Sequence, residues 1–132
     1  MNRIFLGGTW ANSTWRNDIE KHVKVDMFNP VVEDWTEECQ KIEEDEKDNK
    51  CNIHLYVINF LMTGVFSIAE VIDSAHNSSK ITILHIMPDG FSEFQLKSLK
   101  AVVDLVKKNG GIAYVDDDIQ RTVKVLNNAF GE

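Results

Sequence analysis

The chain has 132 residues, enough for one domain with a sizeable core, since domains run to roughly 100–200 residues. Its 14 basic residues against 21 acidic ones give a formal net charge of −7, which argues against duplex nucleic acid as a partner. A small anionic ligand stays compatible with that charge, because backbone N–H groups at helix starts hold phosphate without side-chain cations. The longest apolar blocks, around 55–60 and 81–87, fall well short of the roughly 20 residues that span a bilayer. Met1-Asn2-Arg3 runs into a short apolar block without a signal-peptide pattern, so a soluble, cytoplasmic protein with no membrane partner is expected.

Ile4-Phe5-Leu6 reads as a buried strand closed by Gly7-Gly8, and the polar stretch from Asn12 to His22 as a helix. The segment Val23 to Phe28 alternates and stops at the turn signal Asn29-Pro30. From Trp35 to Asn49 the chain is charged, and mixed charge of this kind predicts a helix with a solvated face. Ile53 to Ile58 is the next strand, broken by Asn59. Val65, Ile68, Ala69 and Ile72 then fall at helical spacing and are expected to face inward. A strand over Ile81–Ile86 ends at Pro88-Asp89-Gly90, and Ser92 with Gln95 forms a capping-box pair. Phe94, Leu99, Val102, Val103 and Val106 form the inner stripe of the helix that follows, which Gly110-Gly111 stops. Ile112 to Val115 is the last strand, and Asp116 to Asn128 the last helix.

Strands alternating with helices predict one α/β domain over 1–132, a parallel sheet covered on both faces with right-handed crossovers. Cys39 and Cys51 stand twelve apart with no CxxC, so free thiols are expected and no metal. His22, His54, His76 and His85 are scattered, and His54 and His85 lie within strand blocks, where packed imidazoles are expected.

In an open parallel sheet, ligands bind beyond the carboxyl ends of the strands, near the point where strand order reverses. That rule selects Gly7, Gly8, Thr9, Trp10, Asn12, Ser13 and Thr14 after the first strand. After the second it selects Asn29, Glu33, Asp34 and Trp35, and after the third Asn59, Phe60, Leu61, Met62, Thr63 and Gly64. There is no GxxxxGK[ST] and no GxGxxG after the first strand, so neither a P-loop nor a dinucleotide fingerprint is present, and no cofactor is expected. Ser67, Glu70 and Asp73 share a stripe at i, i+3 spacing, which puts Glu70 in the second turn of a helix that looks towards the sheet's carboxyl edge. A carboxylate there can attack an electrophilic carbon, as in glycoside cleavage, with Asp34 or Glu33 as a second acid.

The stretches Ile4-Phe5-Leu6-Gly7-Gly8-Thr9-Trp10, Phe28-Asn29-Pro30-Val31-Val32-Glu33-Asp34-Trp35-Thr36 and Met62-Thr63-Gly64-Val65-Phe66-Ser67-Ile68-Ala69-Glu70-Val71 resemble the nucleoside 2-deoxyribosyltransferase-like family. The resemblance implies a flavodoxin-like five-stranded sheet, usually in a homo-oligomer, and cleavage of the N-glycosidic bond between a nucleobase and (deoxy)ribose. It implies Glu70 as the nucleophile, with Gly7, Gly8, Thr9 and Trp10 beside the sugar and base. Asp34 is then the acid near the base. The remaining substrate contacts are expected from Asn29, Trp35, Asn59, Thr63, Gly64 and Ser67, with Ser13 and Thr14 as further candidates for a 5′-hydroxyl or phosphate. The chain departs from the family pattern at Gly64, where many members carry an aspartate, at Phe66 and at Cys51-Asn52. The expected substrate is a nucleoside or nucleotide; the alternative is a catalytically silent module that senses or sequesters one.

Overall fold

The computed structural model describes residues 1–10 and 13–131, so Asn12 lies outside the described residues. In chain order the elements are β1 (Arg3–Gly8), α1 (Trp15–His22), β2 (Asp26–Phe28) and α2 (Glu37–Asp45). A π-helical turn (Glu46–Lys50) leads into β3 (Ile53–Ile58), followed by α3 (Phe66–His76), β4 (Ile81–Ile86), α4 (Glu93–Lys108), β5 (Ile112–Val115) and α5 (Gln120–Phe130). All neighbouring strands pair in parallel, in the order β2-β1-β3-β4-β5. This is the flavodoxin-like arrangement, and the order reverses between β1 and β3.

The central strand β3 is buried at every position, as a strand covered on both faces must be. On one face Ile4, Leu6, Ile53, Leu55, Val57 and Ile83 pack against Trp15 and Ile19 of α1 and Val123 and Leu126 of α5. On the other, Tyr56, Ile58, Leu84 and Ile86 meet Val71 and Ala75 of α3 and Leu99, Val103 and Val106 of α4. Both faces are closed by side chains of this one chain.

Local chemistry sets the element ends. The Ser92 hydroxyl accepts from the Gln95 N–H while the Gln95 side chain accepts from the Ser92 N–H, the reciprocal cap expected from the sequence. Gly110 ends α4 with φ +90°, a conformation that glycine takes without a Cβ penalty. The last helix starts at Gln120 rather than Asp116, because the aspartates make turns of their own. Asp116 accepts from the Asp118 N–H and Asp118 from the Gln120 N–H, each at 2.9 Å.

Four further expectations need correction. The second strand covers only Asp26–Phe28, with Val23 and Val25 buried in the chain that leads to it. Of Val65, Ile68, Ala69 and Ile72, only Ile68 and Ile72 pack against the core, and they are half-buried; Ala69 is exposed and Val65 is 71% exposed, while the fully buried face of α3 is Val71, Ser74 and Ala75. The helix is apolar on two sides, so spacing alone does not say which side the sheet takes. Phe94 is 85% exposed at the start of α4 rather than part of its inner stripe. The charged segment is not a uniformly solvated helix either. After Asp45 it widens to π geometry, closed by the Cys51 N–H donating to Glu46 O at 2.7 Å. Glu46 is thereby buried, where Arg3 forks onto both its oxygens at 2.9 Å.

Candidate active site

The carboxyl ends of β1 and β3 open into a cleft of two connected lobes. The first, about 380 Å³, is lined by Gly7, Gly8, Thr9, Arg16, Pro30, Met62, Thr63, Gly64 and Ser67 among others. The second, about 420 Å³, lies between Trp35 and the polar side of α2, with Gln40, Glu44 and Lys47 on its wall. Trp10, Glu43, Phe66 and Glu70 line both lobes and so mark their junction.

The floor of the first lobe depends on the two glycines after β1. A Cβ on Gly7 would stand 2.5 Å from the Tyr56 ring, and one on Gly8, at φ +110°, would stand 2.2 Å from Val57 O. Glycine here is what lets β1 lie close to β3 at the point where the strands part. The loop that follows is held from beneath. Thr9 N–H donates to Val57 O at 2.9 Å, and the Trp15 indole N–H and Arg16 Nη1 both donate to Thr9 O. Arg16 is buried, stacks on Trp15 and also donates to Leu6 O, so its fork is spent on carbonyls rather than carboxylates. Burial lowers its pKa to about 10, which leaves it a cation on the cavity wall at neutral pH.

Glu70 sits in the second turn of α3 with its side chain 12% exposed and its Oε2 at 3.2 Å from Lys47 Nζ. Glu43 comes to the same junction from α2, one helical turn before Lys47. Burial, and then the Glu70 charge, push the Glu43 carboxyl above its ordinary value, against the opposing pull of Lys47 and Arg16. One carboxylate thus has a lysine, and the other is biased to keep its proton. An ion-paired carboxylate beside one held towards its protonated form is the pairing that divides nucleophile from acid in glycoside chemistry.

Trp10 and Trp35, 43% and 47% exposed, meet edge to face at 5.9 Å between ring centroids and form an aromatic wall over the second lobe. Thr63, Gly64 and Ser67 line the first lobe at the start of α3, whose N-terminus no side chain caps. Other expected contacts lie elsewhere. Asp34 is exposed and lines neither lobe. Asn29 is spent on Glu20 and on the Val31 N–H, although its neighbour Pro30 reaches the cleft. Asn59 ties the β3 end to the β1 loop, its N–H donating to Thr9 Oγ1 and its amide to Ser13 Oγ, each at 3.1 Å. Ser13 and Thr14 line a separate hollow of about 240 Å³ beside Asp18 and Ile119.

Glu43, Lys47 and Arg16 are the site residues that the sequence reading missed. Glu43 and Lys47 were four apart on a helical segment, hence on one face, and that spacing was the available signal. Neither thiol joins the site: Cys51 is buried, which pushes it up to about 11, and Cys39 lies against Thr36. Among the described residues no helix is long and apolar enough to cross a membrane.

A family model for nucleoside 2-deoxyribosyltransferase-like proteins matches residues 1–87. No curated protein matches the chain. The matched span runs from β1 to the residue after β4 and contains every residue that lines the two lobes. Two-thirds of the chain, including its whole cleft, therefore carries the pattern, and the protein belongs to the nucleoside 2-deoxyribosyltransferase-like family.

Proposed function

We propose that the protein cleaves or transfers at the N-glycosidic bond of a nucleoside or nucleotide, with Glu70 as nucleophile and Glu43 as the acid that serves the leaving base. The observation that carries this reading is the meeting of Glu70 and Glu43 at the junction of the two lobes, one ion-paired and the other biased towards its protonated form. Family membership supports nucleoside glycosyl transfer as the reaction class.

The base fits the second lobe, where Trp10, Trp35 and Phe66 offer aromatic surface. The sugar then occupies the first lobe, between Gly7–Thr9 and the uncapped start of α3, whose free N–H groups suit a 5′-hydroxyl or phosphate. A Glu70 oxygen bonds to C1′ as the C1′–N bond breaks, and the bonding pair leaves with the base. Glu43 gives its proton to the departing ring nitrogen and becomes a carboxylate. Water or a second base then attacks C1′, Glu43 takes the incoming proton, and Glu70 is released. Glu43 takes the part that the sequence reading gave to Asp34, because it lines both lobes and Asp34 lines neither.

The outer apolar side of α3, with exposed Val65 and Ala69 beside half-buried Ile68 and Ile72, supports assembly with further copies, as the family resemblance implies. The test of the reaction is chromatography of free base from nucleosides, deoxynucleosides, their monophosphates and NAD, with Glu70→Gln in parallel. Base released by the parent and not by the variant is the expected result. A ligand that raises Tm while none of the panel is cleaved would replace the enzyme by a binding module.

A further inference from the structure

The Lys47–Glu70 pair is held from below by a side chain that lines neither lobe. Lys47 sits in the π turn, where the wider spiral asks its carbonyl to accept from the N–H of residue 52. That N–H instead donates to Arg3 O at 3.1 Å, so the Lys47 carbonyl needs another donor. His54 Nε2, buried on β3, lies 2.7 Å from it. A carbonyl only accepts, so Nε2 carries the proton, and burial disfavours a second one on the ring. Nδ1 must then accept, and the Ser74 hydroxyl at 2.8 Å is its donor. Ser74 in turn accepts from the Thr82 hydroxyl at 2.6 Å. Ser74 lies one helical turn beyond Glu70 on α3.

We propose that His54 is a positioning residue whose neutral imidazole braces the π turn against α3 and so sets the Lys47 ammonium on the Glu70 carboxylate. One residue, Lys47, is gripped twice: its carbonyl by His54 and its ammonium by Glu70, with both grips ending on α3. The ammonium also lies 6.0 Å from the Phe5 ring centroid, which leaves it a narrow berth between β1 and α3. The importance of this pair for turnover rests on Glu70 being the reacting carboxylate; the brace itself does not.

The test is timed acylation of surface amines with an N-hydroxysuccinimide acetate ester, read by peptide mass spectrometry as the rate at Lys47 relative to exposed Lys97. Glu70→Gln removes the pair directly and sets the ceiling, about a fivefold rise. His54→Phe is expected to approach that ceiling, whereas His54→Gln, whose amide N–H still reaches the Lys47 carbonyl, stays near the parent. Ser74→Ala releases the imidazole from α3 without enlarging any side chain, and a rise there supports the brace even if His54→Phe fails to fold. A parent-like Lys47 rate in folded His54→Phe, or in Ser74→Ala, while Glu70→Gln raises it, overturns the proposal. So does a Glu70→Gln variant that leaves Lys47 as protected as before. In the base-release assay His54→Phe should lower kcat with KM unchanged and His54→Gln should restore part of it. If the parent releases no base, the reaction reading fails, and the labelling still decides the brace.

Discussion

Two histidines on neighbouring strands are built alike and set to different tasks. His54 on β3 joins a serine hydroxyl on one ring nitrogen to a backbone carbonyl on the other. His85 on β4 does the same with the Thr122 hydroxyl at 2.7 Å and Asp116 O at 2.6 Å. Both are buried, and burial pushes both below the ordinary histidine value. They point to opposite faces of the sheet. His54 shares its face with Tyr56 and α3, whereas His85 shares its own with Ile83, Tyr114 and α5. The carbonyl held by His54 belongs to a residue whose side chain reaches the cleft; the one held by His85 belongs to Asp116, at the end of β5. An identical hydrogen-bond pattern therefore gains a role at the site only through the element at its far end.

The largest expected effect lies at the cleft itself. Glu70→Gln should lower base release by about 10⁴-fold or more, since loss of a nucleophile removes the route rather than slowing it. Glu43→Gln should cost about 10²- to 10⁴-fold in turnover, and less for bases that leave without protonation. It should also raise Tm at pH 7.5. A carboxyl whose folded pKa is raised binds protons better when folded, so its contribution is lost as pH rises, and removing it relieves that loss.

The histidine pair gives the sharper contrast. His54→Phe should slow base release by about tenfold, the scale of a misplaced group beside the chemistry. His85→Phe should leave kcat and KM unchanged and cost about 1–3 kcal/mol in urea unfolding, because Thr122 and Asp116 O lose a buried partner. Equal loss of activity in the two variants would break the comparison. The smallest effect is the pH dependence of stability. With folded pKa values below the unfolded value near ~6.5, the unfolded chain binds protons that the folded imidazoles refuse. Their contribution is whole above that value and declines as pH falls through it towards the folded values. Unfolding at pH 7.5 and 5.5 should show the decline in the parent and a smaller one with both histidines replaced.

Much of the fold was legible because it obeys local rules. The run Ile53–Ile58, apolar but for His54, announced the central strand, and Ser92 with Gln95 announced the start of α4. Around the cleft, Trp10, Thr63, Ser67 and Glu70 fall where strand-end logic put them. What spacing could not give was rotation. The charged segment ends in a π turn that holds Glu46 buried on Arg3 and Lys47 against Glu70, and nothing in composition marks that turn. Glu43 was hidden by the same segment, since a glutamate among six other acidic residues between 37 and 48 looks like solvated surface. Val65 and Ala69 misled for a related reason, because apolar spacing fixes a helix but not the side on which the sheet lies.

In the proposed reaction Glu70 forms a covalent bond to the sugar. Peptide mass spectrometry of the protein acid-quenched during turnover, with the best substrate from the panel, tests it most directly. A pentosyl adduct confined to the peptide that carries Glu70, and lost in Glu70→Gln, is the expected result. Base release that persists in Glu70→Gln, with no adduct on the parent, would contradict it.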